Sequence, residues 1–361
     1  MRIASAAGRV EEFGLTRPYT IASRRIDSVA NVVLRLETDS GGVGLGAASP
    51  EPRVTGETLD ACRDALEKDR LRWLIGREVL DLDRLCRESA ERMDDTPAAL
   101  AAVDTALHDL AGRERGLPVV EMLGRAHAAL PTSITIGIKP LAETLSEAEE
   151  YIARGFRVLK VKIGLDLDGD LERLSRLREK AGAGIRIRAD ANQGYSVEET
   201  LRFFRETESL DLEFLEQPLP SDAADALRSL PESLRERIAA DESLLDEEDA
   251  LSLAAPPRAC GIFNLKLMKC GGIAPARRIA AVAQSAGIRL MWGCMDESRI
   301  SIAAALHAAL SCPSTRYLDL DGSLDLARDV ADGGFALADG VMRTTDAPGL
   351  GVRERATAPR P

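Results

Sequence analysis

Between residues 132 and 320 the sequence alternates short apolar segments with amphipathic stretches, and this alternation restricts the fold more than any other feature. Each apolar segment has the length and the β-branched and aliphatic content that are typical of a buried strand. Strands that alternate with helices pair in parallel, so the pattern predicts a parallel (β/α) barrel. The eight predicted strands are residues 133–138, 158–163, 185–189, 212–215, 238–240, 261–267, 288–292 and 316–320.

The sequence on either side of this region has a different texture. Residues 1–50 are typical of an antiparallel sheet, in which Asp39-Ser-Gly-Gly marks a hairpin turn. Residues 57–125 have helical periodicity, and residues 15–25 and 47–56 are predicted loops. We therefore expect three regions: an N-terminal domain at 1–125, the barrel at 126–321, and a C-terminal segment at 322–361 that packs back on the N-terminal domain.

The composition excludes several classes of function. The chain has 361 residues, of which 45% are hydrophobic and 29% charged, as in an ordinary soluble globular protein. A net charge of −12 argues against nucleic acid or an anionic membrane as a partner. No window approaches ~18 consecutive apolar residues, and the N-terminus lacks the apolar core of a secretory signal. Six cysteines without a CxxC pair suit reduced thiols, so we expect a cytoplasmic protein, and a homo-oligomer stays possible.

Three acidic residues follow successive predicted strands. Asp190, Glu216 and Asp241 are 26 and 25 residues apart, and the C-terminal ends of barrel strands are where active sites form. Three carboxylates at one point would repel each other unless they share a cation, and all-oxygen ligation suits Mg²⁺. The alternative is that each carboxylate caps a helix, but three in register beside lysines favour a metal site.

Lysines interrupt two of the predicted strands. Lys160 and Lys162 project from one face of the second strand, because strand side chains alternate. Burial and mutual repulsion would lower the pKa of such lysines, so that one could act as a neutral base. Lys266 lies on the sixth strand, nearly opposite in the ring, so Lys162 and Lys266 would face each other across the cavity. The alternative for Lys266 is a side chain that extends out of the barrel mouth.

A metal ion with a lysine on each side defines a class of reaction. The ion would bind a substrate carboxylate and stabilise the negative charge that develops when the α-proton leaves and an enediolate forms. One lysine would remove the proton from one face and the other would return a proton on the opposite face, which inverts the carbon centre. If the second lysine only stabilises the developing negative charge and transfers no proton, the same site could perform a cycloisomerisation or a dehydration.

These residues resemble the muconate-lactonizing subgroup of the enolase superfamily over essentially the whole chain. The resemblance rests on the Lys-x-Lys strand, the Asp/Glu/Asp set and the segment Asn264-Leu-Lys-Leu-Met-Lys-Cys-Gly-Gly. In that family a lysine or histidine base works with Mg²⁺, which implies Lys162 and Lys266 as the acid/base pair. Lys160 would contact the substrate carboxylate and lower the pKa of Lys162, whereas we expect Lys269 to be structural.

The resemblance also implies a fold. The family has an α/β fold, a modified TIM barrel of the (β/α)7β type, with an α+β N-terminal capping domain that the C-terminal segment completes. The loops at 15–25 and 47–56 would then be the two specificity loops of the capping domain.

The choice among the family's reactions depends on two further sets of residues. Members like mandelate racemase use a histidine after the seventh strand, and His108, His127 and His307 all lie in predicted helical or linker sequence. Asp319 and Asp321 form an Asp-x-Asp pair similar to that of dipeptide epimerases, where it holds the α-ammonium group of the first residue. The alternative for this pair is a solvated acidic loop. The resemblance therefore implies an epimerase of L,L-dipeptides.

The side chains of the substrate are harder to predict. Arg24 could pair with an acidic side chain, as in L-Ala-D/L-Glu epimerases, whereas Glu51 and Asp296 would suit a cationic dipeptide, which we expect. A cycloisomerase or o-succinylbenzoate synthase on the same framework stays open, and a catalytically silent binding protein would have no use for the lysine pair. The remaining predicted site residues are Thr135 for substrate binding and Asn192, Glu242 and Asn264 in supporting roles.

Overall fold

The computed structural model describes residues 1–21 and 24–355, with the side chains of residues 19–21, 24 and 25 excepted. Its first three strands form an antiparallel sheet in chain order. They are β1 (Ile3–Ile21), β2 (Arg24–Thr38) and β3 (Val43–Ala48). The turn between β2 and β3 occupies residues 39–42, where the Asp-Ser-Gly-Gly signal predicts it.

The two predicted loops differ from the structure. Residues 15–21 belong to β1 and residues 24 and 25 to β2, so a loop at 15–25 is wrong. The pairing of β1 with β2 shifts register between Gly14 and Tyr19, and this irregularity contains Pro18, which cannot donate to a strand ladder. The second loop begins at Ser49, because the two residues before it still pair with β2.

The helices α1 (Leu59–Ala65), α2 (Leu82–Arg92), α3 (Pro97–Arg115) and α4 (Val119–Leu123) follow, with a 3₁₀ turn at Arg72–Leu74. The helix α3 begins with proline in its first turn and ends at Gly116, whose φ of 66° suits glycine. Its alanine-rich surface is buried against β3, where Gly44 and Gly46 allow close approach. The N-terminal region is therefore a sheet packed on a buried helix.

Eight parallel strands form the second sheet, and their order in space is their order in the chain. The first and last strands meet through a parallel bridge between Thr132 and Leu318, which closes the sheet on itself. The strands are β5 (Ile134–Ile136), β6 (Val158–Lys162), β7 (Arg186–Asp190), β8 (Leu215–Glu216), β9 (Ile238–Ala240), β10 (Ile262–Leu265), β11 (Arg289–Trp292) and β12 (Thr315–Leu318).

Every connection between successive strands of this sheet contains at least one helix, and within the described residues no helix follows β12. This order confirms the (β/α)7β barrel. The helices are α5 (Leu141–Ala153), α6 (Leu167–Ala181), α7 (Val197–Glu206), α8 (Ala224–Ser229), α9 (Glu232–Arg235), α10 (Glu247–Ala254), α11 (Leu267–Cys270), α12 (Ile273–Ala286) and α13 (Arg299–Ser311), with a 3₁₀ turn at Glu208–Leu210.

The C-terminal segment lies against the N-terminal region. The backbone of Leu326 pairs with Leu15 of β1, and the Leu350 amide donates to the Asp109 carboxylate on α3 at 2.8 Å. The strands of this segment are β13 (Ala331–Gly333), β14 (Phe335–Ala338), β15 (Val341–Thr344) and β16 (Val352–Glu354), and β15 also pairs with β4 (Leu130–Pro131). None of the helices in the described ranges combines the length and apolarity that a bilayer crossing requires.

The contact between β3 and α3 generates a prediction about stability. A Cβ added at Gly46 would overlap the carbonyl oxygen of Ala102, whereas one added at Gly184 meets nothing within 4 Å. Gly46→Ala should therefore lower the free energy of unfolding by about 1–3 kcal/mol through overpacking. Gly184→Ala should leave it unchanged or raise it by up to about 1 kcal/mol. Chemical denaturation of both variants measures the difference, and equal stabilities would contradict the packing described.

Candidate active site

A cavity of about 760 Å³ lies at the C-terminal ends of the barrel strands. The N-terminal region covers it, because residues 26–30 of β2 and residues 49–54 after β3 form part of its lining. The barrel contributes Thr135, Lys160 and Lys162 together with residues that follow the later strands. The cavity is therefore where side chains from both regions meet.

Lys160 of β6 is the centre of an ion cluster and is only 3% exposed. Its Nζ lies 3.0 Å from an Asp190 oxygen, 2.9 Å from Glu216 and 2.8 Å from Asp319. Burial alone would lower the pKa of Lys160, but the surrounding carboxylates raise it well above its usual range. For this lysine the predicted lowering of the pKa is wrong, because acidic neighbours outweigh burial and the side chain stays a cation.

Lys162, two residues further along the same face, also reaches Asp190. Its Nζ lies 2.7 Å from Asp190 Oδ2 and donates to Asn192 Oδ1 at 2.9 Å. Asn192 has a φ of 41°, and its amide nitrogen Nδ2 donates to Glu242 Oε1 at 3.1 Å. Asn192 thus links the lysine to Glu242, and the Lys162 amine lines the cavity.

Lys266 follows the last residue of β10 and approaches from the other side of the site. Its Nζ lies 2.6 Å from Asp241 Oδ2. Lys269, one helical turn later, donates to Asp241 Oδ1 and to its carbonyl oxygen, each at 2.6 Å. Burial opposes protonation of Lys266, yet Asp241 raises its pKa above the usual range, whereas burial lowers the pKa of Lys269.

The contact of Lys269 with a predicted metal ligand, Asp241, was not expected from the sequence. The available signal was the spacing of the two lysines, because residues three apart on a helix lie on the same side. Lys269 is not a surface residue at the start of a helix. Its side chain is only 3% exposed and holds Asp241 in place.

Glu216 completes the set of three carboxylates and is fully buried. Asn264 Nδ2 donates to Glu216 Oε1 at 2.8 Å, so Asn264 has the supporting position expected for it. Burial, followed by repulsion from Asp190, raises the pKa of Glu216 to about 8. Asp190, Glu216 and Asp241 are all buried, and an all-oxygen donor set of this kind fits a hard divalent cation such as Mg²⁺.

The Asp-x-Asp pair lies just beyond the end of β12. Asp319 accepts hydrogen bonds from Lys160 at 2.8 Å and from the Ser133 hydroxyl at 2.6 Å. Asp321 accepts from the backbone amide of Thr135 at 2.7 Å, and burial raises its pKa to about 7. Both acids line the cavity, so they are not a solvated loop, but Asp319 already has two polar partners.

Arg188 forms the floor beneath these groups, a role that the sequence analysis missed. It precedes Asp190 by two residues on β7, so both side chains lie on the inner face. Its guanidinium contacts Glu213 at 2.7 Å and donates to the Leu318 carbonyl oxygen at 2.7 Å. The same group stacks near the rings of Phe214 and Tyr317. Arg188 thus ties β7 to β12 below the site.

The predicted specificity residues are only partly described. Glu51 and Asp296 both line the cavity, and the Asp296 carbonyl oxygen accepts from Ser49 Oγ at 3.0 Å. The side chain of Arg24 lies outside the described residues. Further acidic residues that the sequence analysis did not select also line the cavity, namely Asp27, Glu147 and Asp325.

The three histidines lie outside the cavity lining that the described residues form. His108 Nδ1 lies 2.8 Å from the Asp104 carbonyl oxygen inside α3. His307 accepts from the Val120 amide at 3.0 Å, and burial lowers its pKa to about 4. His127 lies 3.1 Å from the Cys312 carbonyl oxygen. Each histidine therefore has a structural contact away from the site.

Family models match most of the chain. The model described as mandelate racemase/muconate lactonizing enzyme, N-terminal domain, matches residues 6–124. The model described as enolase C-terminal domain-like matches residues 143–357. The two matches divide the chain between α4 and α5.

Several curated proteins and solved structures are similar over almost the whole length. An L-Lys-D/L-Arg epimerase from Methylococcus capsulatus is 62% identical over 98% of this chain and 99% of that protein. A crystal structure of a dipeptide epimerase from the same organism, complexed with Mg and the dipeptide L-Arg-D-Lys, superposes with a TM-score of 0.97. The two sequences are 62% identical, and the match covers 98% of this chain and 99% of that chain. The L-Ala-D/L-Glu epimerase from Bacillus subtilis is more distant, at 32% identity over 94% of this chain and 93% of that protein.

The contacts of Lys269 predict a large effect of its removal. Lys269→Met should lower the free energy of unfolding by about 3 kcal/mol, because it breaks a buried ion pair and leaves the Asp241 carbonyl oxygen without this donor. Lys180→Met is the matched control, since the Lys180 ion pair with Glu149 at 2.5 Å is about half exposed, with side-chain exposures of 45% and 56%. Lys180→Met should lower the free energy of unfolding by no more than about 0.5 kcal/mol. Urea denaturation compares the two, and a similar loss in both would refute the structural role of Lys269.

Proposed function

The chain belongs to the mandelate racemase/muconate lactonizing enzyme family of the enolase superfamily, and we propose that it is a Mg²⁺-dependent epimerase of dipeptides that carry lysine or arginine. The reaction inverts the α-carbon of the second residue by a two-base proton transfer. One observation carries this proposal: five consecutive barrel strands, β6 to β10, lead to Lys162, Asp190, Glu216, Asp241 and Lys266 in that order. Two amines that line the cavity therefore lie on either side of three buried carboxylates.

Asp190, Glu216 and Asp241 would hold the metal ion. When bound, Mg²⁺ supplies positive charge beside the substrate carboxylate, which favours the extra negative charge that develops as the α-proton leaves. The burial of three carboxylates beside one another supports this assignment, because they would repel each other without a cation. Lys160 would stay a cation at the same carboxylates, Lys269 would orient Asp241, and Asn264 would orient Glu216.

Lys162 and Lys266 would perform the proton transfer. One neutral amine accepts the α-proton as the C–H bond breaks. The electron pair of that bond passes into the substrate carboxylate to give an enediolate. The other lysine, which begins as an ammonium group, then donates its proton to the opposite face of the same carbon and becomes a neutral amine, so the configuration inverts. The positions of the two lysines at β6 and at the end of β10, four strands apart in a ring of eight, support their action on opposite faces.

The charge of the cavity supports a cationic dipeptide. Asp321, with Asp319 beside it, would accept the α-ammonium group of the first residue. Glu51 and Asp296 would face cationic side chains, and Thr135 supports Asp321 through its backbone amide. Two relatives named L-Lys-D/L-Arg epimerase are 62% and 56% identical, whereas two named L-Ala-D/L-Glu epimerase are 33% and 32% identical, which favours the cationic substrate.

We extend the proposal to the organisation of the chain. Residues 1–125 would cap the barrel at 126–321, and the segment from 322 onward would complete the cap. The contacts of β1 and α3 with this segment support that division. The cysteines are free thiols, which supports work in the reducing cytoplasm.

Isotope exchange tests the two-base mechanism. In D₂O the protein with Mg²⁺ and L-Arg-L-Lys should incorporate deuterium at the α-carbon of the second residue while it epimerises that residue. Lys162→Met and Lys266→Met should each lose epimerisation by about 10³-fold, because one face then lacks its acid or base. Each variant should still exchange the α-proton of one diastereomer, and the two variants should retain opposite diastereomers.

Nuclear magnetic resonance of the α-proton measures this exchange directly, and Lys180→Met serves as the control for loss of a lysine elsewhere. Retention of the same diastereomer by both variants would show that the amines act on one face. Absence of exchange with every Lys- or Arg-containing dipeptide would overturn the function.

A cycloisomerase or o-succinylbenzoate synthase is the second candidate, because the same lysines and carboxylates would serve it. Asp321 distinguishes the two, since a substrate without an ammonium group does not need it, whereas Asp319 has contacts with Lys160 and Ser133 in either case. Asp321→Asn should lower kcat/KM for the dipeptide about 10-fold to 100-fold. Little change for the dipeptide, with turnover of a succinylbenzoate precursor, would favour the second candidate.

A further inference from the structure

Asp325 is a cavity-lining acid for which the proposed mechanism has no use. It follows the Asp-x-Asp pair by one turn, since the Leu324 amide donates to the Asp321 carbonyl oxygen at 2.8 Å. Its backbone is fixed on β1, because the Thr16 amide donates to the Asp325 carbonyl oxygen at 2.8 Å. The side chain is half-buried and lines the cavity beside Asp321 and Gly322.

The neighbouring acid on this wall is already compensated. Glu147 is paired with Lys139 and Arg17, and it accepts a hydrogen bond from the Tyr151 hydroxyl at 2.8 Å. Arg17 in turn pairs with Glu150 and lies over the Tyr151 ring. The positive charges of this wall are therefore committed to glutamates of α5.

Asp325 differs from Glu147 in this respect. Across residues 1–21 and 24–355, its carboxylate has no hydrogen-bond donor or ion-pair partner. Burial raises its pKa above the usual range, although Arg17 acts in the opposite direction. A partly desolvated carboxylate without a contacting cation favours a cationic group that enters the cavity.

The position of Asp325 indicates which part of a dipeptide brings that group. The proposed receptor for the α-ammonium group is Asp321, four residues earlier on the same wall, whereas the reacting carbon of the second residue lies with the lysines. The side chain of the first residue starts from the carbon that carries the ammonium group. It can therefore extend along this wall toward Asp325.

We propose that Asp325 is a specificity residue that binds the cationic side chain of the first residue of the dipeptide. This inference rests on the proposed function for the identity of the ligand. It assigns Asp325, together with the acids after β12, to the first residue of the substrate. Glu51 and Asp296 then remain for the other cation.

Three dipeptides test the assignment by steady-state kinetics with Mg²⁺. L-Arg-L-Lys carries both cations, L-Leu-L-Lys lacks the first, and L-Arg-L-Leu lacks the second. Asp325→Asn should lower kcat/KM about 10-fold to 100-fold for the two substrates with a first-position arginine, the range for loss of one charged hydrogen bond. L-Leu-L-Lys should change by less than about twofold.

Asp225→Asn is the matched control, because Asp225 is 99% exposed and pairs with Arg228 on the outer surface. It should leave all three substrates unchanged. Equal losses for all three dipeptides in Asp325→Asn, or a loss confined to L-Leu-L-Lys, would overturn the assignment.

Calorimetric titration of the three dipeptides separates this inference from the proposed function. If the wild-type protein turns over none of them, the proposed function fails, yet weaker binding of the first-position arginine dipeptides to Asp325→Asn would still support the subsite. Equal binding to both proteins, or no binding to the wild-type protein, would overturn it.

Discussion

The structure depends on the balance of buried charge at the mouth of the barrel. Four lysines meet six carboxylates there, and Lys160, Lys269, Asp190 and Asp241 are each at most 3% exposed. A buried charge without a partner costs several kcal/mol, so each of these groups must be matched. The match is made by strand order, because β6 to β10 carry lysines at the two flanks and carboxylates between them. In the proposed function, the same arrangement would hold the metal ion between two acid/base groups.

The rest of the fold keeps this cluster in position and away from water. Arg188 ties β7 to β12 beneath it, and Asn192 and Asn264 fix individual oxygens. The N-terminal sheet covers it from above, with β3 held closely on α3 and the C-terminal segment packed alongside. The acids of the cover and of the β12 end line one cavity, so in the proposed function charge at the rim would select the substrate and the barrel residues would perform the chemistry.

The sequence predicts the barrel strands and most of the candidate site residues, but it does not predict the contacts between distant segments. Eight strands could be identified because strand and helix periods differ. Lys162, Asp190, Glu216 and Asp241 could be selected as candidates because active sites form at the C-terminal ends of barrel strands. Contacts between segments that are distant in the sequence could not be predicted, such as the hydrogen bond from Arg188 to the Leu318 carbonyl oxygen. The extension of β1 through residues 15–21 and the start of β2 at residue 24 were also not predicted, since Pro18 resembles a loop signal when its strand partner is unknown.

A crystal structure of the protein with Mg²⁺ and L-Arg-D-Lys tests the central claim most directly. The account predicts that Asp190, Glu216 and Asp241 share one ion, and that the Lys162 and Lys266 amines lie on opposite faces of the second residue's α-carbon, each within about 3–3.5 Å. Both amines on one face, or a dipeptide whose carboxylate lies away from the three acids, would contradict it.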